Sequence, residues 1–182
     1  VVDAGDTIQA NSAELFLNDE IHPMIAAQNA IGYDVYVTGN HESRLEDYPT
    51  LEQRFIDSGV TVVHNAAADI VRDDAHIRLI GIDDPDFFAA EEEEAYFRTA
   101  LEALTGETVF TVLLSHRPEK FALYAAQDID LTLSGHAHGG QIRLPFVGGL
   151  AAPDQGVFPR YTSGLYTSGT SHMVVSRGLG NS

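Results

Sequence analysis

The chain has 182 residues, 44% hydrophobic and 20% charged, which suits one domain with a full-sized core and excludes a disordered chain. Ten Lys and Arg against 27 Asp and Glu leave a formal charge of −17, which repels phosphate backbones and anionic lipid and argues against a nucleic-acid polymer as partner. With no Cys, disulfides, thiolate metal sites and thiol catalysis are excluded, and life outside the cytoplasm is a consistent setting.

No apolar run approaches the roughly 20 residues of a helical membrane span. A strand is expected from Val1 onward rather than a secretory leader. A helix follows over 13–31, broken or kinked near Pro23 and ended by Gly32. The strand predicted at 34–38 is followed by a helix at 49–58, which Gly59 ends, and a strand at 60–63. Two strands, 67–71 and 76–82, flank Arg72-Asp73-Asp74-Ala75, which reads as a hairpin turn, so part of the sheet is antiparallel. The acidic run 91–94 opens a helix over 91–104, where negative charge complements the dipole of a solvated first turn. A strand at 109–114, a helix at 119–127 and strands at 129–133 and 173–176 complete the series. The Gly- and Pro-containing stretches 84–90 and 145–164 read as loops. Alternating strands and helices predict an α/β domain with helices packed on sheet faces.

The informative polar residues fall just after predicted strands. They are Asp3-Ala4-Gly5-Asp6, Gly39-Asn40-His41-Glu42, Ser115-His116 and Gly135-His136-Ala137-His138. In open α/β sheets the ligand crevice lies beyond the carboxyl ends of the strands, so these four clusters can converge on one place. Asp6, Asn40, His116, His136 and His138 offer oxygen and imidazole donors without thiolate, a set suited to Mn, Fe, Zn or Ni. Two such ions, one carboxylate bridging them, would clamp a phosphoryl group and generate hydroxide at neutral pH. Gly5, Gly39 and Gly135 each precede a donor at a strand-to-loop turn, and His41 stands where a general acid is needed. A lone His is ordinarily a surface or hydrogen-bonded residue, but four of the eight histidines occupy these loops. His22, His64, His76 and His172 lack that context and read as ordinary surface or core residues. Asp74-Ala75-His76 has a metal-site spacing but enters a strand rather than leaving one, which places it at the wrong end of the sheet.

Taken in order, Gly5-Asp6, Gly39 to Glu42, His116 and Gly135 to His138 resemble the signature of the calcineurin-like metallophosphoesterase superfamily. From Arg44 to Ser182 the chain looks like the YkuE-like phosphoesterases. The stretches that carry this are Gly135-His136-Ala137-His138-Gly139-Gly140-Gln141-Ile142-Arg143, Ala152-Pro153-Asp154-Gln155-Gly156 and Ser176-Arg177-Gly178-Leu179-Gly180-Asn181-Ser182. Asp3-Ala4-Gly5-Asp6-Thr7-Ile8-Gln9 and Asn29-Ala30-Ile31-Gly32-Tyr33-Asp34 are more similar to the 5′-nucleotidase branch.

The resemblance implies a β-sandwich of mixed sheets flanked by helices, with a dinuclear site at one edge. Asp6 would bridge the ions, Asn40, His116 and His136 would serve one, and His138 the other. His41 would act as general acid, and Gln141 and Arg177 would contact substrate. The family's Asp-x-His motif upstream of Asp6 is not found, nor is the strand the family carries beyond Ser182. The expectation is therefore a single metallophosphoesterase domain incomplete at both ends, with one ion, of Mn, Fe or Zn, held better than the second. The activity implied is hydrolysis of small phosphate esters by metal-activated hydroxide, with phosphodiesters ahead of monoesters. A metal- or phosphate-binding remnant acting as an interaction module, and a nucleotide hydrolase, are the alternatives. The resemblance also implies a place outside the cytoplasm or in the cell envelope, with membrane association only through a segment outside these residues.

Overall fold

A computed structural model describes residues 2–3, 34–87, 93–106, 108–144 and 148–178. The predicted helix 13–31, Asp6 and His22 lie outside the described residues. Strands β1 (Val2–Asp3), β2 (Val35–Tyr36) and β3 (Thr61–Val62) form a small parallel sheet in that order, with α1 (Tyr48–Asp57) joining the last two. The large sheet contains β4 (Ala66–Arg72), β5 (Ala75–Ile82), β6 (Phe110–Ser115), β7 (Leu131–Ser134), β11 (Gly164–Ser168) and β12 (Ser171–Val175). Its spatial order is β11-β12-β7-β6-β5-β4; the four central strands are parallel and both edge strands antiparallel. Between β5 and β6 runs α2 (Glu93–Leu104), and between β6 and β7 runs α3 (Phe121–Ala126), preceded by a 3-10 turn at Pro118–Lys120. A third, antiparallel sheet holds β8 (Ile142–Leu144), β9 (Gly148–Ala152) and β10 (Gly156–Val157).

Successive side chains of a strand point to opposite faces, and both faces of β5 and β6 are apolar. Leu79 and Leu114 turn inward against Val37 and Val63 from the small sheet, whereas Ile80, Ile82 and Leu113 turn outward against Phe97 and Leu101 of α2 and Phe121 and Tyr124 of α3. On the far side, Tyr36 and Val60 pack under Tyr48, Leu51 and Phe55 of α1, with the Tyr36 and Phe55 rings 4.8 Å apart. The layers are therefore α1, small sheet, large sheet, then α2 and α3. Each large side chain fully buried in this stack contributes about 1.5–3 kcal/mol relative to exposure. Gly81 sits where the sheets come closest: a methyl group there would lie 2.7 Å from both Val37 Cγ1 and Val63 Cβ. Its missing side chain lets the layers touch.

The expected sandwich of mixed sheets flanked by helices is thus present. One span differs. Residues 145–164, read as loop, contain β9 and β10 and reach the start of β11. Gly148 and Gly149 carry no β-branched signal, and their pairing with β8 is tertiary. The predicted helix 119–127 begins instead with the 3-10 turn at Pro118–Lys120, and the stretch 84–90 includes another at Pro85–Phe87. The hairpin turn is confirmed, with Asp73 at φ +53°.

Candidate metal centre

Register places the site. Ile82 pairs with Ser115, Leu114 with Leu133, and Ser134 with Val175, so four parallel strands end along one edge of the large sheet. Asp83-Asp84, His116-Arg117, Gly135 to His138 and Ser176-Arg177 leave that edge side by side. The loop after β2, carrying Gly39, Asn40 and His41, belongs to the other sheet. Thr38 Oγ1 donates to Asp83 Oδ1 at 2.8 Å and ties the two sheet edges together.

His116 and His136 are both almost completely buried, and His116 Nε2 lies 3.0 Å from His136 Nδ1. That contact has the length of a hydrogen bond, and it brings two imidazoles close enough that both could serve one cation. His136 Nε2 lies 2.7 Å from Asp154 Oδ2. Burial holds the His136 pKa below its usual value, so the neutral ring donates its Nε2 proton to Asp154 and turns the Nδ1 lone pair toward His116. The hydrogen bond from His136 in turn holds the Asp154 carboxyl down at about 2. Asn40 is a candidate third donor: its Oδ1 is buried without a hydrogen-bond partner, as an oxygen kept for a cation would be. The backbone around it is wound tightly, since Glu42, fully buried, accepts the Gly39 N–H at 2.9 Å and Ser43 Oγ donates to the Asn40 carbonyl at 2.7 Å. Among the described residues no three His, Asp or Glu side chains form an ion cage by themselves. Two imidazoles meet here, Asn40 ends the neighbouring strand-to-loop turn, and Asp6, expected to add the carboxylate, lies outside the described residues.

His136 and His138 adopt φ of +63° and +50°, left-handed conformations uncommon for residues with a side chain. Gly139 and Gly140 continue at +75° and +94°, so the Gly-His-Ala-His-Gly-Gly segment is a coiled turn that re-aims each side chain. Such strain clusters at functional sites. His138 and His41 are half-buried, Gln141 and Arg177 are exposed, and Gln141 N–H donates to the Ala151 carbonyl at 2.8 Å. His76 lies near the opposite end of β5, 3.2 Å from Asp69, which removes the Asp-x-His decoy from the site. His172 meets Thr167 at 3.0 Å.

Several residues were missed by sequence reasoning. Arg117 Nε and Nη2 each donate to an oxygen of fully buried Asp84 at 2.7 Å; Nη2 also reaches Asp86 at 2.8 Å, and Nη1 pairs with Asp154. A chain of contacts therefore runs from Asp84 through Arg117 and Asp154 to His136 and His116. Glu119 lies beside it, with both carboxylate oxygens buried and unpartnered, and burial pushes its carboxyl up to about 7. His64, read as ordinary, bridges Asp83 at 2.9 Å and Glu52 at 2.9 Å, and the bond to Asp83 raises its pKa to about 9. Only Asp154, in the Pro-Asp-Gln-Gly turn, stood in a stretch that the sequence singled out.

No protein-family model matches the chain. It is 29% identical over 181 residues, 99% of its length, to the metallophosphoesterase YkuE of Bacillus subtilis, of which it covers 58%. It is 30% identical over 145 residues, 79% of its length, to the phosphodiesterase YaeI of Escherichia coli, covering 50% of that protein. These likenesses support the calcineurin-like metallophosphoesterase superfamily. The NAD nucleotidase of Haemophilus influenzae shares the fold of this chain, with a TM-score of 0.60 and 19% identity over 98% of this chain and 40% of that one. The chain spans about half the length of the curated relatives it matches.

Proposed function

We propose that this chain forms the hydrolytic site of a metal-dependent phosphoesterase that acts on small phosphate esters, diesters ahead of monoesters. The observation that carries the reading is the 3.0 Å approach of His116 Nε2 to His136 Nδ1, in a chain whose Asn40 Oδ1 is buried and unpartnered. Asn40, His116 and His136 would hold one divalent ion, and Asp6 and His138 a second; the donor set suits Mn, Fe or Zn. Ions bound there supply positive charge against the phosphoryl oxygens and lower the pKa of water.

The remaining work falls to the chain. Asp154 keeps the His136 proton on Nε2, so Nδ1 stays a donor atom throughout. Glu42, by accepting the Gly39 N–H, fixes the turn from which Asn40 and His41 project. His41 protonates the departing alkoxide, which lets an alcohol leave where an alkoxide would not. Arg177 and Gln141, exposed beside the Gly-Gly turn, orient the rest of the ester.

The test is hydrolysis of bis(4-nitrophenyl) phosphate and of 4-nitrophenyl phosphate with added manganese, with His136→Ala as control. The reading expects turnover of the diester above that of the monoester, abolished in the variant. A folded wild type that binds manganese but hydrolyses neither ester refutes it.

A further inference from the structure

The charge of this protein makes any gathering of cations informative. Of its ten basic residues, Arg44, Arg78, Arg98, Arg117 and Lys120 each pair with a carboxylate. Arg54, Arg72, Arg143, Arg160 and Arg177 form no ion pair among the described residues, and of these Arg143 and Arg177 are exposed beside the Gly-Gly turn. Yet the two meet over one glycine. A methyl group on Gly139 would lie 3.1 Å from Arg177 Cγ, 3.3 Å from Arg177 Cδ and 3.6 Å from Arg143 Nη1. Gly139 directly follows His138, and Arg177 leaves β12 next to the end of β7, since the Ser176 N–H donates to the Ser134 carbonyl at 2.8 Å. The segment is pinned from below as well. A methyl on Gly140 would lie 2.5 Å from Gly149 Cα, so that glycine lets β9 support the turn.

The Arg143 guanidinium and the Arg177 stem share one glycine, and two like charges held that near repel each other unless an anion lies between them. Among the described residues no carboxylate neutralises this pair, at the edge of the candidate metal centre. We propose that Arg143 and Arg177 form an anion subsite, and that the substrate is a phosphoester carrying a second anionic group, a carboxylate or a further phosphate, on the alcohol beyond the phosphoryl centre. This rests on the hydrolytic reading above and specifies its substrate class. The planar forks of Arg match the oxygens of either group, and Gly139 is required because a side chain there would displace the Arg177 stem.

Calorimetry with manganese present, on wild type, Arg143→Gln, Arg177→Gln and the double variant, tests it without turnover. The probes are ethyl phosphate, 2-phosphoglycolate, which adds a carboxylate, and propane-1,3-diyl bisphosphate, which adds a phosphate. Wild type should bind at least one probe with the second anionic group about tenfold more tightly than ethyl phosphate, with each single variant losing part of that ratio and the double variant losing nearly all of it. The preferred probe tells a carboxylate from a phosphate. Equal binding of all three by wild type, no binding of any, or a preference that survives in the double variant overturns the proposal. Hydrolysis of bis(4-nitrophenyl) phosphate by the same preparation tests the hydrolytic reading separately. A preference for probes with the second anionic group, without turnover, would sink that reading and leave the anion subsite standing.

Discussion

Glu119→Gln should make the protein more stable, by an increment that grows from pH 4.5 to about 7 and is complete above neutral pH. Both Glu119 oxygens are buried with no hydrogen-bond partner, and burial raises the carboxyl from 4.5 to about 7. The nearest cation, Arg117, is already engaged by Asp84, Asp86 and Asp154. A folded state with the higher pKa binds the proton more tightly than the unfolded chain, so stability falls as pH rises from 4.5 to about 7 and stays reduced above it. At about 1.4 kcal/mol per pH unit, that interval amounts to about 3 kcal/mol. Gln has nearly the same volume and no charge to desolvate, so the variant should recover most of that at pH 8 and almost none at pH 4.5. For a protein of this size the gain is a rise in Tm of roughly 6–12 °C. Thermal unfolding of wild type and variant in EDTA, at pH 4.5, 6 and 8, measures the difference directly. An increment independent of pH, or no increment at pH 8, would refute burial as the cause.

The other predictions concern the network around His136 and its neighbour His64. Arg117→Met leaves Asp84 charged and fully buried with no counter-ion; urea unfolding should show a loss of about 3–5 kcal/mol. Arg117→Lys should not restore it, because an ammonium cannot reproduce the two parallel bonds to Asp84. Asp154→Ala should weaken manganese binding by roughly 10–100-fold in a calorimetric titration, with the fold retained since Asp154 is half exposed. His64 should titrate near 9 by NMR, because Asp83 holds its proton. Its folded pKa lies above its unfolded value, so its contribution to stability is complete below 6.5 and lost as pH rises through about 9. A midpoint near 6.5 would show that the Asp83 bond does not persist in solution.

Much of this protein is legible along the chain because its signals are local. The alternation of Leu79 with Ile80 and of Leu113 with Leu114 announces strands covered on both faces, and each donor loop follows such a strand directly. The candidate donors His116 and His136 could be placed together because parallel strands carry their C-terminal loops to one edge whatever lies between them. The strands β9 and β10 could not be read, since Gly148, Gly149 and Ala151 have no intrinsic strand preference and become strands only through partners.

What the sequence determined by itself is an ordered set of thiol-free candidate donors, each at the end of a predicted strand. Tertiary structure alone decided how those donors are held. Asp84, Arg117 and Asp154 lie 33 and 37 residues apart, and no periodicity or motif marks them as partners. Their ion pairs form because β5 and β6 lie side by side and the turn after β9 folds over their ends. The same folding isolates the Glu119 carboxylate from water and sets Arg143 and Arg177 over Gly139. Burial and charge neutralisation are properties of the space around a residue, and that space exists only once the layers have closed.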